Sequence, residues 1–387
     1  MRFRDALAEP GLAAIAEIKR RSPSLGDIRP DADSATLARA YARAGAAAVS
    51  VLVDARFGGS WDDLRAARSS TDAPLLAKGF FSTAADLRTA KEAGADAALL
   101  LLRDLDDEQA RSLLALAGDL GLETLVEAHD ADELRRAGAL QAPVIGINAR
   151  DLSTFEVDRT RQLDLVATCH VLPHRPVVVA ESGISARAHG AAAELAGADA
   201  ALVGSALMQA PDPAAKLTEL LARPLVKVCG LTRSEDVAAA AEAGADLAGF
   251  VLASESPRTA PAVLAVPDTM LSVAVWVGEA GDAAADLHQV YAREHGHRGR
   301  DAVLLRADRE VAVVLDLPWQ QEDPDHLRRA AAAEGRVMLA GGLSAENVAE
   351  AVAAVRPWAV DASSRLEIEP GVKDHAKVRA YVAAARA

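Results

Sequence analysis

Only two of the 387 residues are cysteine, Cys169 and Cys229, which is too few for a disulfide framework. Basic side chains are also in deficit, with 42 Lys and Arg against 56 Asp and Glu and a net charge of −14. That balance argues against nucleic acid or an anionic membrane as a partner. A phosphate site in such a chain has to be built locally, from backbone N–H groups and a few cations. No apolar run reaches the roughly 20 residues of a membrane span without charge or Pro/Gly interruption. The opening "MRFRDALAEPG" lacks the apolar core of a secretory signal, so a cytoplasmic location is expected. The strand ends carry neither a dinucleotide fingerprint nor a metal-ligand cluster, so no cofactor and no metal are expected. "HGHR" (295–298) has a metal-like His spacing but reads as a solvated loop.

With 51% hydrophobic and 25% charged residues the chain is globular, and its length suggests two domains. Short apolar runs at 14–19, 48–53, 75–78, 97–102, 124–127, 144–148, 177–181 and 200–204 alternate with helix-type stretches rich in Ala, Leu, Arg and Glu. "EAGAD" (92–96) and "LAGAD" (195–199) each end a helix with Gly and lead into the next strand. Eight such units in about 220 residues fit one (β/α)8 barrel. "EAGAD" recurs at 242–246, and a second series starts at Leu225 after "LLARPLVK", a helix end and a Pro without a flexible linker. The fold class is therefore α/β, with two fused TIM-type (β/α)8 barrels at 1–223 and 224–387.

In "IAEIKRRSPSLGDI" (15–28), Glu17 and Lys19 share one face of a strand and lie roughly 6–7 Å apart along it. A solvent-facing antiparallel strand would account for one such pair. The other runs end in Lys78, Glu127, Asn148, Glu181-Ser182 and Gly204-Ser205. A parallel barrel collects the carboxyl ends of its strands on one rim, where catalytic residues sit. Six polar ends on one rim point to a site.

The motifs "AEIKRRSPSLG", "LLAKGF" (75–80), "LVEAHD" (125–130), "GINARDL" (146–152), "VAESGI" (179–184) and "LVGSALM" (202–208) resemble, in order, those of indole-3-glycerol phosphate synthase. The resemblance spans nearly all of residues 3–222. It implies closure of an indole ring from a carboxyphenylamino-deoxyribulose phosphate, with loss of CO₂ and water. It implies Lys78 as the acid at the substrate carbonyl, and Lys19 and Glu17 in carboxylate binding and dehydration. Glu127 becomes a further acid–base or electrostatic group, while Asn148, Glu181 and Ser182 orient the substrate. Phosphate would sit near Gly183, Gly204 and Ser205. Ser22 and Ser24 would hold a closing loop, and Phe57 would wall the aromatic ring. A lysine near other cations or in an apolar pocket loses affinity for its proton, and Lys78 is expected to do so. Gly79 stands where the family usually has Asp, Ala149 where it is usually polar, and the family's N-terminal helical extension is mostly absent.

"LVKVCGLTRSEDVAAAAEAGADLAGFVLASESPR" (225–258), "VMLAGGLSAENV" (337–348) and "VDASS…EPGVKD" (360–374) are similar to phosphoribosylanthranilate isomerase, the preceding step of tryptophan biosynthesis. The resemblance implies an Amadori rearrangement with Cys229 as base and Asp316 as acid. Arg258 and Arg233 would assist the thiol or bind substrate. Gly341, Gly342, Ser363 and Ser364 would cradle phosphate. The partners implied for both halves are small sugar-phosphate derivatives of anthranilate. This half is short, however: 163 residues follow from Leu225, below the roughly 200 of such barrels. "LLRA" (304–307) stands where the family's Gln-Leu-His-Gly is sought on the fourth strand, and Arg365 replaces a phosphate-loop Gly. About seven strands are countable, and "AVLLRADREVAVVLD" (302–316) reads as a hairpin, which puts parallel order in question. The lost segment is expected to open the barrel wall and leave isomerase turnover weak or absent. Two readings stay open: a bifunctional enzyme, or a synthase joined to a non-catalytic structural or regulatory module.

Overall fold

Ile15, Leu125, Val179 and Leu202 lie one residue out of phase with Ala16, Val126, Ala180 and Val203, and that phase builds the first barrel. The former set packs inside it and the latter outside, against helices. The computed structural model describes residues 2–151, 154–291, 301–316 and 325–387, so "HGHR" lies outside the described residues. The chain divides into two units, Met1–Leu221 and Ala222–Ala387.

In the first unit the strands are β1 (Ala13–Ile18), β2 (Ala48–Leu52), β3 (Leu75–Lys78), β4 (Ala97–Leu101), β5 (Glu123–Ala128), β6 (Val144–Asn148), β7 (Val177–Glu181) and β8 (Ala200–Val203). They close into a barrel with every neighbouring pair parallel. All carboxyl ends therefore share one rim. Several helices start at side-chain caps, as at Thr83 and Asp106, where reciprocal capping boxes satisfy the first free N–H groups. The short helix Phe3–Leu7 inserts Phe3 and Leu7 into the interior cluster, and the Arg4 N–H donates to Glu123 at the start of β5. This segment closes the end opposite the rim.

The Gly-Ala-Asp motif acts as a clasp. Gly94, Gly197 and Gly244 take left-handed backbone at or just after helix ends, which suits glycine. The aspartate that follows then pairs twice with the preceding strand. Asp96, Asp199 and Asp246 donate their N–H to Leu75, Val178 and Val226, and their carboxylates accept the N–H of the same three residues. Each motif thus extends the parallel ladder beyond the strand. Asp246→Ala strands the buried Val226 N–H, and is expected to destabilise the second unit by about 1–3 kcal/mol. The measurement is the urea midpoint followed on that unit's tryptophans, and an unchanged midpoint would refute the clasp.

The second unit contains β9 (Leu225–Cys229), β10 (Leu247–Val251), β11 (Leu271–Val277), β12 (Leu287–Tyr291), β13 (Asp301–Arg306), β14 (Arg309–Asp316), β15 (Val337–Ala340) and β16 (Ala359–Ala362). These eight strands close into a barrel, which overturns the expectation of an opened wall and of seven strands. The hairpin reading holds: β13 runs antiparallel to both β12 and β14, while all other neighbours are parallel. One reversed strand fills the gap left by the lost segment, because a sheet hydrogen-bonds a strand of either direction. It also returns β14 to the forward direction, so Asp316 ends at the rim, level with Ala340 of β15. The fourth strand is β12, with sequence Leu-His-Gln-Val-Tyr, and not the "LLRA" segment, which belongs to β13 and the turn after it. Gln289 and Tyr291 therefore stand where the family's Gln and His were sought.

Candidate active sites

Side chains from five strand ends converge at the first rim. Lys78 Nζ lies 2.5 Å from Glu181 Oε2, 3.5 Å from Glu17 Oε2 and 3.8 Å from Glu127 Oε2, and Lys19 Nζ lies 2.9 Å from Glu17 Oε1. Asn148 Nδ2 donates to Glu127 Oε1 at 2.8 Å, and its own Oδ1 accepts the Arg150 N–H. Two inward-facing glycines make this crowding possible. A Cβ at Gly146 would lie 2.0 Å from Glu181 Oε1, and one at Gly204 would lie 2.3 Å from Glu17 Oε1. Gly204, expected as a phosphate donor, is thus also required by the Glu17 carboxylate.

The electrostatics correct the expectation for Lys78. Burial alone would lower its pKa, but Glu181, Glu17 and Glu127 outweigh burial and raise it. Carboxylates from strands distant in sequence, not cations, surround the ammonium, and it stays charged. Burial also opposes ionisation of Glu17 and Glu127. Lys19 and Lys78 overcome it for Glu17, while Lys78 and His129 hold Glu127 down to about 2. Glu181 takes the remaining strain: its burial and the Glu127 charge push it up to about 8. Glu127 Oε2 and Glu181 Oε1 are buried and have no hydrogen-bond partner among the described residues.

A cavity of ≈ 260 Å³ opens above the cluster. Leu52, Leu99, Leu101 and Leu202 form its apolar floor, while Glu17, Lys19, Lys78, Glu127 and Asn148 line it. Ser22, Phe57, Ser182, Gly183, Gly204 and Ser205 line it too, so every site residue expected in this barrel reaches the cavity except Glu181, which is fully buried behind Lys78. Phe57 stacks on Phe80 with centroids 6.2 Å apart, and Arg56 covers the Phe80 ring. Ser22 and Ser24 share a hydrogen bond in the loop over the mouth. Gly79 has a packing cause: a Cβ there would meet the Phe81 ring at 2.7 Å.

Sequence reasoning missed His129 and Phe80, although both lie inside motifs quoted above. His129 Nε2 is 3.1 Å from Glu127 Oε1 and Nδ1 is 3.0 Å from Glu133 Oε2. Burial would lower the imidazole's pKa, but these two carboxylates raise it to about 10. The available signal was the His-x-x-x-Glu spacing, which on a helix start brings the two side chains together.

In the second barrel, Cys229 ends β9 and is buried. Burial raises its thiol pKa, opposed by Lys227 and Lys373. The expected helpers are engaged elsewhere: Arg258 binds Glu367 at 2.9 Å and Arg233 binds Asp236 at 2.7 Å. Lys227, two positions before Cys229 on the same face, and Lys373, from the hairpin after β16, take that place. A Cβ at Gly249 would lie 2.7 Å from Cys229 Sγ, so glycine keeps the thiol's space open. Lys227 Nζ donates to Asp361 Oδ2 (2.7 Å) and to Gln289 Oε1 (2.8 Å). Gln289 Nε2 donates to the Tyr291 hydroxyl (2.8 Å), which donates to Asp316 Oδ2 (2.7 Å). Burial raises Asp316 to about 6 against the pull of Tyr291. Gly341 and Gly342 follow β15, and Ser363 and Ser364 follow β16. Gly342 and Ser364 line one cavity of ≈ 660 Å³ with Ser344, Asn347, Arg365 and Lys377, so Arg365 adds a cation where the family has glycine.

Comparison with known proteins matches residues 1–220 to the family "Indole-3-glycerol phosphate synthase". The chain belongs to the indole-3-glycerol phosphate synthase family. Residues 320–384 match the family described as N-(5'phosphoribosyl)anthranilate (PRA) isomerase, so the synthase barrel is fused to an isomerase-type domain. An indole-3-glycerol phosphate synthase of Roseiflexus castenholzii is 46% identical over 218 residues, 54% of this chain and 80% of that protein. The tryptophan biosynthesis protein TrpCF of Salmonella typhi is 35% identical over 410 aligned positions, 96% of this chain and 88% of that protein. Among solved structures, TrpF from Jonesia denitrificans is 28% identical over 42% of this chain and 97% of that one, with a TM-score of 0.34. The synthase match covers all of β1–β8, and the isomerase match covers β15 and β16 of the second barrel. No helix among the described residues is long and apolar enough to cross a membrane.

Proposed function

We propose that the chain catalyses two consecutive steps of tryptophan biosynthesis, with the second barrel as phosphoribosylanthranilate isomerase and the first as a decarboxylating indole-3-glycerol phosphate synthase. The observation that carries the synthase reading is a lysine within 4 Å of three carboxyl groups, under a cavity with an aromatic wall. In the first barrel the ring carbon bearing the carboxylate attacks the ketone carbon, and Lys78 protonates the ketone oxygen. A proton held this tightly moves only toward an oxygen that is becoming an alkoxide. CO₂ leaves and returns its bonding electrons to the ring. The new hydroxyl then takes a proton and leaves as water, and the neighbouring carbon loses a proton to complete the indole. Lys19 binds the substrate carboxylate and serves this dehydration with Glu17. Glu127, kept ionised by Lys78 and His129, stabilises the cationic ring nitrogen or accepts the last proton. Glu181 holds Lys78 in place.

In the second barrel Asp316 protonates the ribosyl ring oxygen, the C1′–O bond breaks, and the nitrogen lone pair forms an iminium. The Cys229 thiolate then removes the C2′ proton, giving an enolamine that tautomerises to the ketone. Closure of the barrel removes the main objection to this activity, and a match over 96% of this chain to the tryptophan biosynthesis protein TrpCF supports it. Expression of the chain in two tryptophan auxotrophs, each lacking one step, tests both halves. Growth of both is expected, and rescue of the synthase-deficient strain alone would leave the second unit as a non-catalytic module.

A further inference from the structure

We infer that Tyr291 is the positioning residue for the isomerase acid: it fixes which oxygen of Asp316 delivers the proton. The inference rests on the isomerase reading above. Its basis is the direction of the hydrogen bonds across the barrel. Lys227 has only N–H groups to give, so it donates to Asp361 and to the amide oxygen of Gln289. That orients the Gln289 amide, whose NH₂ must then donate to the Tyr291 oxygen. With its oxygen occupied, the Tyr291 hydroxyl points its hydrogen onward to Asp316 Oδ2. When Asp316 carries a proton, that proton therefore lies on Oδ1, and Oδ1 faces the substrate's ring oxygen during transfer.

Strand β12 supplies both middle members, because Gln289 and Tyr291 are two residues apart and face inward together. β9 supplies Lys227, β16 supplies Asp361 and β14 supplies Asp316. The chain exists only because β13 is reversed and β14 runs forward again. Asp316 faces Tyr291 from β12, Asp361 from β16 and Lys227 from β9. Cys229 faces Lys227, Asp361, Lys373 and Tyr291. A tyrosine here can donate at any pH in the working range, since burial and Asp316 raise its pKa well above the ordinary value.

The hydrogen bond from Tyr291 stabilises ionised Asp316, so Tyr291→Phe raises the Asp316 pKa above its present value of about 6. With the acid at about 6 and the thiol above its usual 9.0, the low-pH limb of isomerase kcat/KM belongs to Asp316. In Tyr291→Phe this limb moves to higher pH, and kcat falls about 10-fold or more because the acid loses its orientation. Synthase turnover of the same full-length chain stays at the wild-type value, and an unchanged urea midpoint on the second unit's tryptophans reports that this barrel is folded. A carboxyl-¹³C titration of Asp316, assigned with Asp316→Asn, reads the same pKa change without turnover. A variant with wild-type isomerase kcat and an unmoved limb overturns the inference while leaving the isomerase reading intact. A wild-type chain that turns over no phosphoribosylanthranilate overturns the isomerase reading and the inference with it.

Discussion

Replacing Lys78 by methionine is expected to lower synthase turnover by about 10²–10⁴-fold, the usual cost of losing a general acid. Methionine keeps the length and the apolar stem over the leucine floor but carries no proton. The first concern is whether such a variant folds, since the change removes a cation from among three buried carboxylates. Glu181 supplies the relief. Its carboxyl already titrates near 8 through burial and the charge of Glu127, with Lys78 pulling the other way. Already largely protonated at neutral pH, it rises further without Lys78 and stays neutral, while Glu17 keeps Lys19 and Glu127 keeps His129 as partners. A buried carboxyl that can neutralise itself avoids the cost of an unpaired buried charge. The far-ultraviolet spectrum and the isomerase activity of the variant should therefore match wild type. Indole formation, followed by fluorescence, is the measurement, and near-normal turnover would reject Lys78 as the acid.

The second large effect is expected in the other barrel. Cys229→Ala should lower isomerase turnover by about 10²–10⁴-fold and leave synthase turnover unchanged. The thiol is the only side chain at the end of β9 able to remove a proton. Its neighbour Lys227 is committed to Asp361 and Gln289 and stays charged despite burial, because Asp361 raises its pKa. Alanine fits without strain, since it only removes the sulfur for which Gly249 opposite leaves room. A lost reaction with a retained fold is thus the expected pattern. Isomerase turnover that survives the substitution would assign the base elsewhere, and Lys373, buried beside the thiol with its pKa lowered first by desolvation, would be the next group to test.

Much of the first barrel was legible in the sequence because its information is local. Side chains alternate across a strand, Gly ends a helix and Asp begins the next strand, so runs such as "EAGAD" mark each unit. Parallel closure then carries Glu17, Lys78, Glu127 and Asn148 to one rim without any further knowledge. The hairpin at 302–316 was legible for the same reason, since its alternation and turn lie within one stretch. What followed from the hairpin was not. Whether a shortened chain closes depends on edge strands finding each other, and β13 could be placed beside β12 only by the ladder itself. The fourth strand was sought in the wrong stretch for the same reason, and with it the Gln289–Tyr291 pair was missed. Charge states were equally out of reach. Lys78 and Glu181 are 103 residues apart, and Lys227 and Asp361 are 134 apart. The sequence named a lysine at a strand end, but the barrel chose its neighbours. Proton affinity depends on which charges come within a few ångströms in a medium of low polarity. That proximity is a property of tertiary structure alone.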